Sequence, residues 1–168
     1  MKILILVRHA KSSWDQMGLD DFDRPLNERG KKDAPEMAKR LKEKDLKIDL
    51  ILSSPAKRAF RTARFFAEEF DMKKDDIEIE QDLYGAGVTS FLKVVESLKN
   101  KYDTVAIFSH NPGITDFVNT LSSVHIDDMP TCGVFAVQAE TDNWSDFATA
   151  PKRFLFFDYP KNNLPGQD

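Results

Sequence analysis

The amino-acid sequence predicts a three-layer α/β domain, with a mostly parallel central sheet and helices on both of its faces. Short apolar runs alternate along the chain with longer segments in which apolar residues recur at helical spacing. This alternation of strands and helices is typical of domains built around a parallel sheet. The 168 residues suffice for one domain with a full core. We therefore expect a single domain over residues 1–168, with a peripheral tail over residues 160–168.

The first half of the chain predicts three strands and two helices. Residues 3–7 and 50–52 are apolar strands, and residues 77–80 alternate apolar and acidic side chains, as a strand with one wet face would. Asn27 is expected to cap the first helix, and the second helix is expected to begin near Pro55. The apolar faces of these helices comprise Ala34, Met37, Ala38 and Leu41 in the first, and Ala59, Ala63, Phe66, Ala67 and Phe70 in the second.

The second half of the chain predicts two more helices and three more strands. Ser90 is expected to open a helix, and Pro112 suits the first position of another helix that runs to Leu121. The predicted strands of this half are residues 104–108, 133–139 and 153–159. A polar, hairpin-like segment around Asp142-Asn143 joins the last two strands.

Composition and charge argue against several classes of function. The net charge is −4, and no basic stripe is interleaved with aromatic residues, so a nucleic-acid partner is not expected. The longest apolar runs are about five residues, far short of the roughly 20 residues that span a bilayer. The single cysteine, Cys132, cannot form an internal disulfide and is interpreted as structural. We expect a cytoplasmic protein without membrane partners, and its oligomeric state stays open.

Two of the three histidines follow predicted strands. Arg8-His9 comes directly after the first strand, and His110 comes directly after the strand at residues 104–108. Because open α/β sheets bind ligands beyond the carboxyl ends of their strands, we expect both histidines to converge on one ligand. A third strand leads through a small-residue turn into a helix with Arg58 in its first turn. Together these elements predict an anion site, whereas His125 is assigned to a loop without a role.

Four ordered motifs resemble the signatures of a known family. Leu6-Val7-Arg8-His9-Ala10 resembles the Arg-His-Gly signature of the histidine phosphatase superfamily, also called phosphoglycerate mutase-like, with Ala10 in place of the usual glycine. The other motifs are Leu26-Asn27-Glu28-Arg29-Gly30, Ser53-Ser54-Pro55 with Arg58 and Thr62-Ala63, and Ser109-His110-Asn111-Pro112-Gly113. Asp23-Arg24-Pro25-Leu26 and the short chain are most similar to the SixA-type phosphohistidine phosphatases. The resemblance implies a phosphoglycerate mutase-like fold.

The resemblance also implies a phosphatase that works through a phosphohistidine intermediate on the enzyme. His9 is then the nucleophile, and His110 donates to the phosphoryl oxygens. Phosphoryl transfer requires alignment and positive charge around those oxygens, which Arg8, Arg24 and Arg58 would supply. Ser12 is expected to donate a further hydrogen bond. An imidazole attacks only when it is neutral, and nearby arginines would lower its pKa.

This mechanism requires neither a metal ion nor another cofactor. No ligand set with the spacing typical of zinc or magnesium sites is evident in the sequence. A metal hydrolase that uses His9 and His110 also lacks a supporting cluster of carboxylates.

One departure from the family bears on the substrate. Mutases and broad phosphomonoester phosphatases of the superfamily usually place a glutamate general acid in the segment that corresponds to residues 81–85. Here Asp82 is either the acid or an ordinary solvated aspartate. An alkoxide needs a proton to leave, whereas imidazole leaves neutral once its other ring nitrogen is protonated.

The expected substrate is therefore a phosphohistidine on a protein. One alternative is a phosphatase of the same fold that acts on a small phosphomonoester. The other is a binding module for phosphoproteins that has no catalytic activity.

Overall fold

The computed structural model describes residues 1–162, which fold around one mixed sheet. Its strands are β1 (Lys2–Arg8), β2 (Leu50–Ser53), β3 (Ile77–Ile79), β4 (Thr104–Ser109), β5 (Val134–Ala139) and β6 (Lys152–Asp158). They lie side by side in the order β3-β2-β4-β1-β5-β6. The first four of that order are parallel, whereas β5 and β6 are antiparallel to their neighbours. The predicted α/β architecture is confirmed, with two antiparallel strands at one side.

Two layers of helices cover the two faces of this sheet. The helices are α1 (Glu28–Lys42), α2 (Lys57–Glu69), α3 (Val88–Glu96) and α4 (Gly113–Val118). Along β1, Leu4 and Leu6 belong to the core under α3 and α4, while Ile5 and Val7 belong to the core under α1 and α2. This alternation follows from the two-residue period of a strand. Because both faces are covered, β1 and β4 read as continuous apolar runs.

The first helix begins where the sequence predicted. The side chain of Asn27 accepts a hydrogen bond from the backbone N–H of Gly30 at 2.8 Å, which satisfies one of the free donors in the first turn. The third helix begins at Val88, with Gly87 as its cap, so the prediction that Ser90 opens it was wrong. Glycine is accepted at a helix cap about as well as threonine, and the hydroxyl of Ser90 is not needed there.

Three further predictions differ from the structure at element ends. The fourth helix ends at Val118, and the chain up to Leu121 continues as a turn. Phe70 follows the end of α2 and is only half-buried. Ile79 is 45% exposed, so β3 does not bury one clean face. β3 lies at the edge of the sheet and is three residues long, which leaves little of it for a helix to cover.

The last described residues are held against α1. Arg40 on α1 donates to the backbone oxygens of Tyr159 and Pro160 at 3.1 and 3.2 Å. Most of the predicted peripheral tail, residues 163–168, lies outside the described residues.

Cys132 is free and buried, and its burial raises the pKa of the thiol. Across residues 1–162, no helix combines the length and apolarity that a membrane span requires.

Candidate active site

A polar cavity opens at the carboxyl ends of β1, β2 and β4. Arg8 on β1 lies beside Ser109 on β4, and Ser53 on β2 lies beside Phe108, so the three strand ends meet at one edge. The cavity is lined by Arg8, His9, Lys11, Ser12, Trp14, Asp21, Arg24, Arg58, His110, Asn111 and Thr131. Four of these side chains are cationic, and one is a carboxylate. The structure thus brings together six of the seven site residues predicted from sequence.

The hydrogen bonds of His9 fix its tautomer. Its Nδ1 lies 2.8 Å from the backbone oxygen of Ala10. A carbonyl oxygen only accepts hydrogen bonds, so Nδ1 carries the ring proton. The lone pair therefore lies on Nε2, which accepts a hydrogen bond from Nε of Arg58 at 3.3 Å. Nε2 is thus the nitrogen of His9 that carries the lone pair for attack, once the hydrogen bond from Arg58 is released.

Both site histidines are held neutral. Burial is the main reason that the pKa of His9 falls from 6.5 to about 3, and electrostatic interactions with His110, Arg58 and Arg8 lower it further. Burial and Arg58 likewise lower the pKa of His110 to about 4. The expected fall in the pKa of His9 thus occurs, but desolvation contributes more than the arginines do.

His110 packs against His9 and is held by a serine. The two ring centroids lie 5.1 Å apart. Nε2 of His110 lies 2.7 Å from the hydroxyl oxygen of Ser54, which also accepts the backbone N–H of Ala56 at 3.2 Å. Ser54 is fully buried, so this contact fixes the ring without competition from water. Ser54 lies in the motif Ser53-Ser54-Pro55, but no role was predicted for it from the sequence.

A threonine connects the first motif to α2. The hydroxyl oxygen of Thr62 accepts the backbone N–H of Ala10 at 3.0 Å and donates to the backbone oxygen of Arg58 at 2.8 Å. Thr62 is fully buried. It therefore fixes the turn after His9 relative to the helix that carries Arg58, which explains why threonine stands in the Thr62-Ala63 motif.

Two motif glycines allow close backbone contacts. A Cβ atom on Gly30 would lie 2.1 Å from the backbone oxygen of Lys11, and one on Gly113 would lie 1.7 Å from that of Ala86. Neither contact is possible for any residue with a side chain. The two glycines thus hold the loops at Lys11 and Ala86 against the helices that flank the cavity.

The three predicted arginines reach the cavity in different ways. Arg8 donates from Nη1 to the backbone oxygen of Met129 at 2.8 Å. Arg24 donates to the hydroxyl of Ser12 at 2.6 Å, and its guanidinium carbon lies 3.5 Å from the ring centroid of Trp14. Ser12 thus holds Arg24, in addition to lining the cavity itself.

Asp21, the carboxylate of the cavity, was not predicted from the sequence. Its Oδ2 accepts hydrogen bonds from Nη2 of Arg58 at 2.9 Å and from the hydroxyl of Tyr84 at 2.8 Å. Its Oδ1 accepts from Nε and Nη2 of Arg24 at 3.2 and 3.1 Å, and its backbone oxygen accepts from Nη1 of Arg58. Burial alone would raise the pKa of Asp21, but the hydrogen bonds from Tyr84 and Arg58 lower it to about 2. Asp21 is therefore ionised.

Asp82, the predicted candidate acid, does not line the cavity. Its side chain is exposed, and its backbone N–H donates to the carboxylate of Glu80 at 3.2 Å. Tyr84 from the same segment reaches the site instead, because it bonds to Asp21 and packs edge-on against His110 at 5.5 Å between centroids.

The sequence predicts no metal site and places the third histidine in a loop. Within residues 1–162, no group of three or more His, Cys, Asp or Glu side chains is arranged to hold a metal ion. His125 lies in a loop, largely exposed, with Nε2 3.1 Å from Asp127.

Comparison with known proteins places this chain in a family. Residues 4–91 match the model of the histidine phosphatase superfamily, branch 1. A chloroplastic protein of Arabidopsis thaliana without a characterised function is 32% identical over 152 residues, which cover 85% of this chain and 69% of that protein. Phosphoserine phosphatase 1 of Hydrogenobacter thermophilus is 39% identical over 105 residues, which cover 59% of this chain and 46% of that enzyme.

The solved structures include a candidate SixA phosphohistidine phosphatase from Agrobacterium tumefaciens. It is 25% identical, covers 95% of this chain and 98% of its own, and superposes with a TM-score of 0.79. The SixA-type resemblance predicted from the sequence is thus confirmed. The chain belongs to the histidine phosphatase superfamily, branch 1, and is a SixA-like phosphatase.

Proposed function

We propose that this chain hydrolyses phosphohistidine on a protein and that the phosphoryl group passes through Nε2 of His9. The observation that carries the proposal is the neutral His9 imidazole, which presents a lone pair in a cavity with four cationic side chains. Cations stabilise the negative charge on the equatorial oxygens of a phosphoryl group in transfer. The mechanism uses arginines for this purpose and needs no metal ion or other cofactor.

In the first step, Nε2 of His9 attacks phosphorus and forms a new N–P bond. The N–P bond of the substrate breaks, and its electron pair stays on the substrate nitrogen. If the other nitrogen of the substrate ring is protonated, the imidazole leaves as a neutral molecule. Arg8, Arg58 and His110 are the groups that we assign to the phosphoryl oxygens, with Arg24 and Ser12 at the outer side of the cavity.

In the second step, water attacks phosphorus and the bond to Nε2 breaks. The electron pair returns to Nε2, and the protons of water remain on the phosphate product. Because Nδ1 keeps its proton and its hydrogen bond to Ala10, His9 is a neutral leaving group in this step as well. The tautomer that frees Nε2 for attack therefore also assists hydrolysis of the intermediate.

The proposed preference for an N–P bond rests on two carboxyl groups, neither of which is able to protonate a leaving group. Asp21 is ionised at neutral pH and has no proton to give to a leaving alkoxide. Asp82 lies outside the cavity lining. An alkyl phosphate would expel its alcohol as an unprotonated alkoxide, whereas phosphohistidine expels neutral imidazole once the other ring nitrogen carries a proton.

The first test compares leaving groups. Phosphoramidate and phosphohistidine are expected to react far faster than an alkyl phosphate, because a positioned acid is typically worth about 10²- to 10⁴-fold. Because Asp82 lies outside the cavity lining, Asp82→Asn should change neither rate. Steady-state phosphate release measures both.

A small-molecule phosphomonoesterase is the second candidate function, favoured by the similarity to phosphoserine phosphatase 1. Equal hydrolysis of alkyl phosphates and phosphohistidine, with Asp82→Asn impairing only the esters, would replace our proposal with this one. Phosphate binding without release from any activated substrate would indicate a binding module. We also propose that the protein works in the reducing cytoplasm, because its single cysteine, Cys132, is a free thiol.

The lowered pKa of His9 predicts an unusual pH profile. Since its pKa lies at about 3 and that of His110 at about 4, both imidazoles stay neutral well below their usual 6.5. For an acid-stable aryl phosphate, corrected for its own ionisation, kcat/KM should stay constant from pH 7 to about pH 5. Half-loss of activity near pH 6.5 would contradict the assignment.

Folding must be monitored in the same experiment. The unfolded chain protonates these imidazoles near pH 6.5, whereas the folded chain does so only near pH 3 to 4. The unfolded state therefore binds more protons between these limits, and stability falls as the pH falls through them. Circular dichroism at each pH separates this loss from a change in chemistry.

Asp21 is expected to compete with phosphoryl groups for Arg58. Its carboxylate and backbone oxygens use both terminal nitrogens of that arginine, which would otherwise bind two phosphoryl oxygens in a forked manner. Asp21→Asn removes this negative charge and should tighten vanadate inhibition about tenfold, or about 1.4 kcal/mol. If Asp21 instead serves to hold the arginines in place, the same variant will weaken vanadate binding.

A further inference from the structure

Exposed apolar side chains are concentrated around the cavity. Seven large apolar side chains are notably exposed among residues 1–162, and five of them lie in the loop over residues 13–23 or next to it at Tyr84. These five, which we call the apolar rim, are Trp14, Met17, Leu19, Phe22 and Tyr84. Met17 is 99% exposed and Trp14 is 73% exposed. Such concentration marks a binding surface more often than scattered exposure does.

The apolar rim is continuous with the catalytic cavity. Trp14 lines the cavity and stacks on Arg24. Tyr84 packs against His110, and Phe22 packs edge-on against Tyr84 with centroids 5.4 Å apart. Met17 and Leu19 lie outside the cavity lining. A small substrate that fills the cavity would leave these two side chains in water, so only a ligand that extends beyond the cavity covers them.

The charge of the same loop limits the chemistry of that ligand. Residues 13–23 contain four aspartates and no lysine or arginine. The aspartates are Asp15, Asp20, Asp21 and Asp23. Asp21 is already paired with Arg24 and Arg58, so Asp15, Asp20 and Asp23 are the ones that can attract a basic ligand. An anionic membrane surface would be repelled by them, whereas a protein surface with lysine or arginine beside its apolar residues would be attracted.

We propose that the apolar rim binds the polypeptide that carries the phosphohistidine, at a site where apolar and basic side chains flank the modified residue. This inference rests on the proposed function. The phosphoryl group enters the cavity, the flanking apolar side chains cover Met17 and Leu19, and the flanking lysine or arginine lies near the aspartates of the loop.

The test uses three synthetic peptides, each with one histidine phosphorylated by phosphoramidate. Leucine and lysine flank the histidine in the first, leucine and aspartate in the second, and glycine and serine in the third. The wild-type chain is expected to prefer the first peptide over both others by about tenfold in kcat/KM, mainly through KM. Added salt should reduce the preference for lysine over aspartate.

The matched variants are Met17→Ser with Leu19→Ser on the rim, and Ile79→Ser on an exposed apolar residue elsewhere. The rim variant should lose most of the preference for the first peptide and hydrolyse phosphoramidate at the wild-type rate. The Ile79 variant should behave as wild type toward every substrate.

Two outcomes would overturn the inference: an unchanged peptide preference in the rim variant, or an equal loss of activity on phosphoramidate. Tighter binding to phosphatidylserine vesicles than to neutral vesicles would also contradict it. Failure of the wild-type chain to hydrolyse phosphoramidate and all three peptides would instead refute the proposed function.

Discussion

His9→Ala is expected to abolish hydrolysis, with kcat reduced by roughly 10⁴-fold or more, because one nitrogen acts in both chemical steps. In the wild-type chain, brief mixing with ³²P-labelled substrate and a quench without acid should leave label on the protein. Phosphohistidine is stable to alkali and labile to acid. The label should therefore survive incubation in alkali and be lost in acid. The variant should trap none.

The matched control is His125→Ala, because that histidine is exposed and does not line the cavity. It should trap label and hydrolyse substrate as the wild type does. A His9→Ala chain that retains wild-type rates would end the assignment of His9 as nucleophile.

Arg58→Lys and Arg8→Lys are expected to lower kcat/KM by about 10²-fold or more each. Lysine keeps the charge but loses the fork that binds two phosphoryl oxygens at once. The loss should be larger for Arg58, because its Nε also bonds to Nε2 of His9, the nitrogen that we propose as the nucleophile. Steady-state kinetics measure the effect, and thermal unfolding followed by circular dichroism checks that the fold is kept.

Arg29→Lys provides the comparison, since Arg29 lies on the exposed face of α1 and pairs only loosely with Asp33, at 3.4 Å. Its kinetics should be those of the wild type. Full activity of either cavity variant would exclude that arginine from phosphoryl binding.

The sequence predicted the cavity well because its residues stand next to regular elements. His9, His110 and Arg58 follow or begin elements whose apolar patterns are clear, and parallel strands bring their ends to one edge. Their convergence is thus a consequence of topology. Element ends were predicted less well, as at Val88, because several residues can begin a helix at similar cost.

Asp21 and Ser54 could not be predicted in the same way. Asp21 lies in a polar loop with three other aspartates, and only the folded path of that loop decides which one meets the arginines. Asp21 precedes Arg24 by three residues, and this spacing only weakly predicts the ion pair between them. Ser54 stood within a recognised motif, but its contact with His110 joins residues 56 positions apart.

The contact between Asp21 and Arg58 also bears on how the enzyme finishes each cycle. Before substrate arrives, Arg58 already has an anionic partner, so binding exchanges one anion for another. When phosphate departs, the carboxylate of Asp21 is at hand to take its place, and the buried guanidinium is never left without a counter-charge. Affinity for substrate is reduced by this exchange, but so is affinity for the product. We therefore expect rapid product release and weak inhibition by inorganic phosphate, which product-inhibition kinetics would measure.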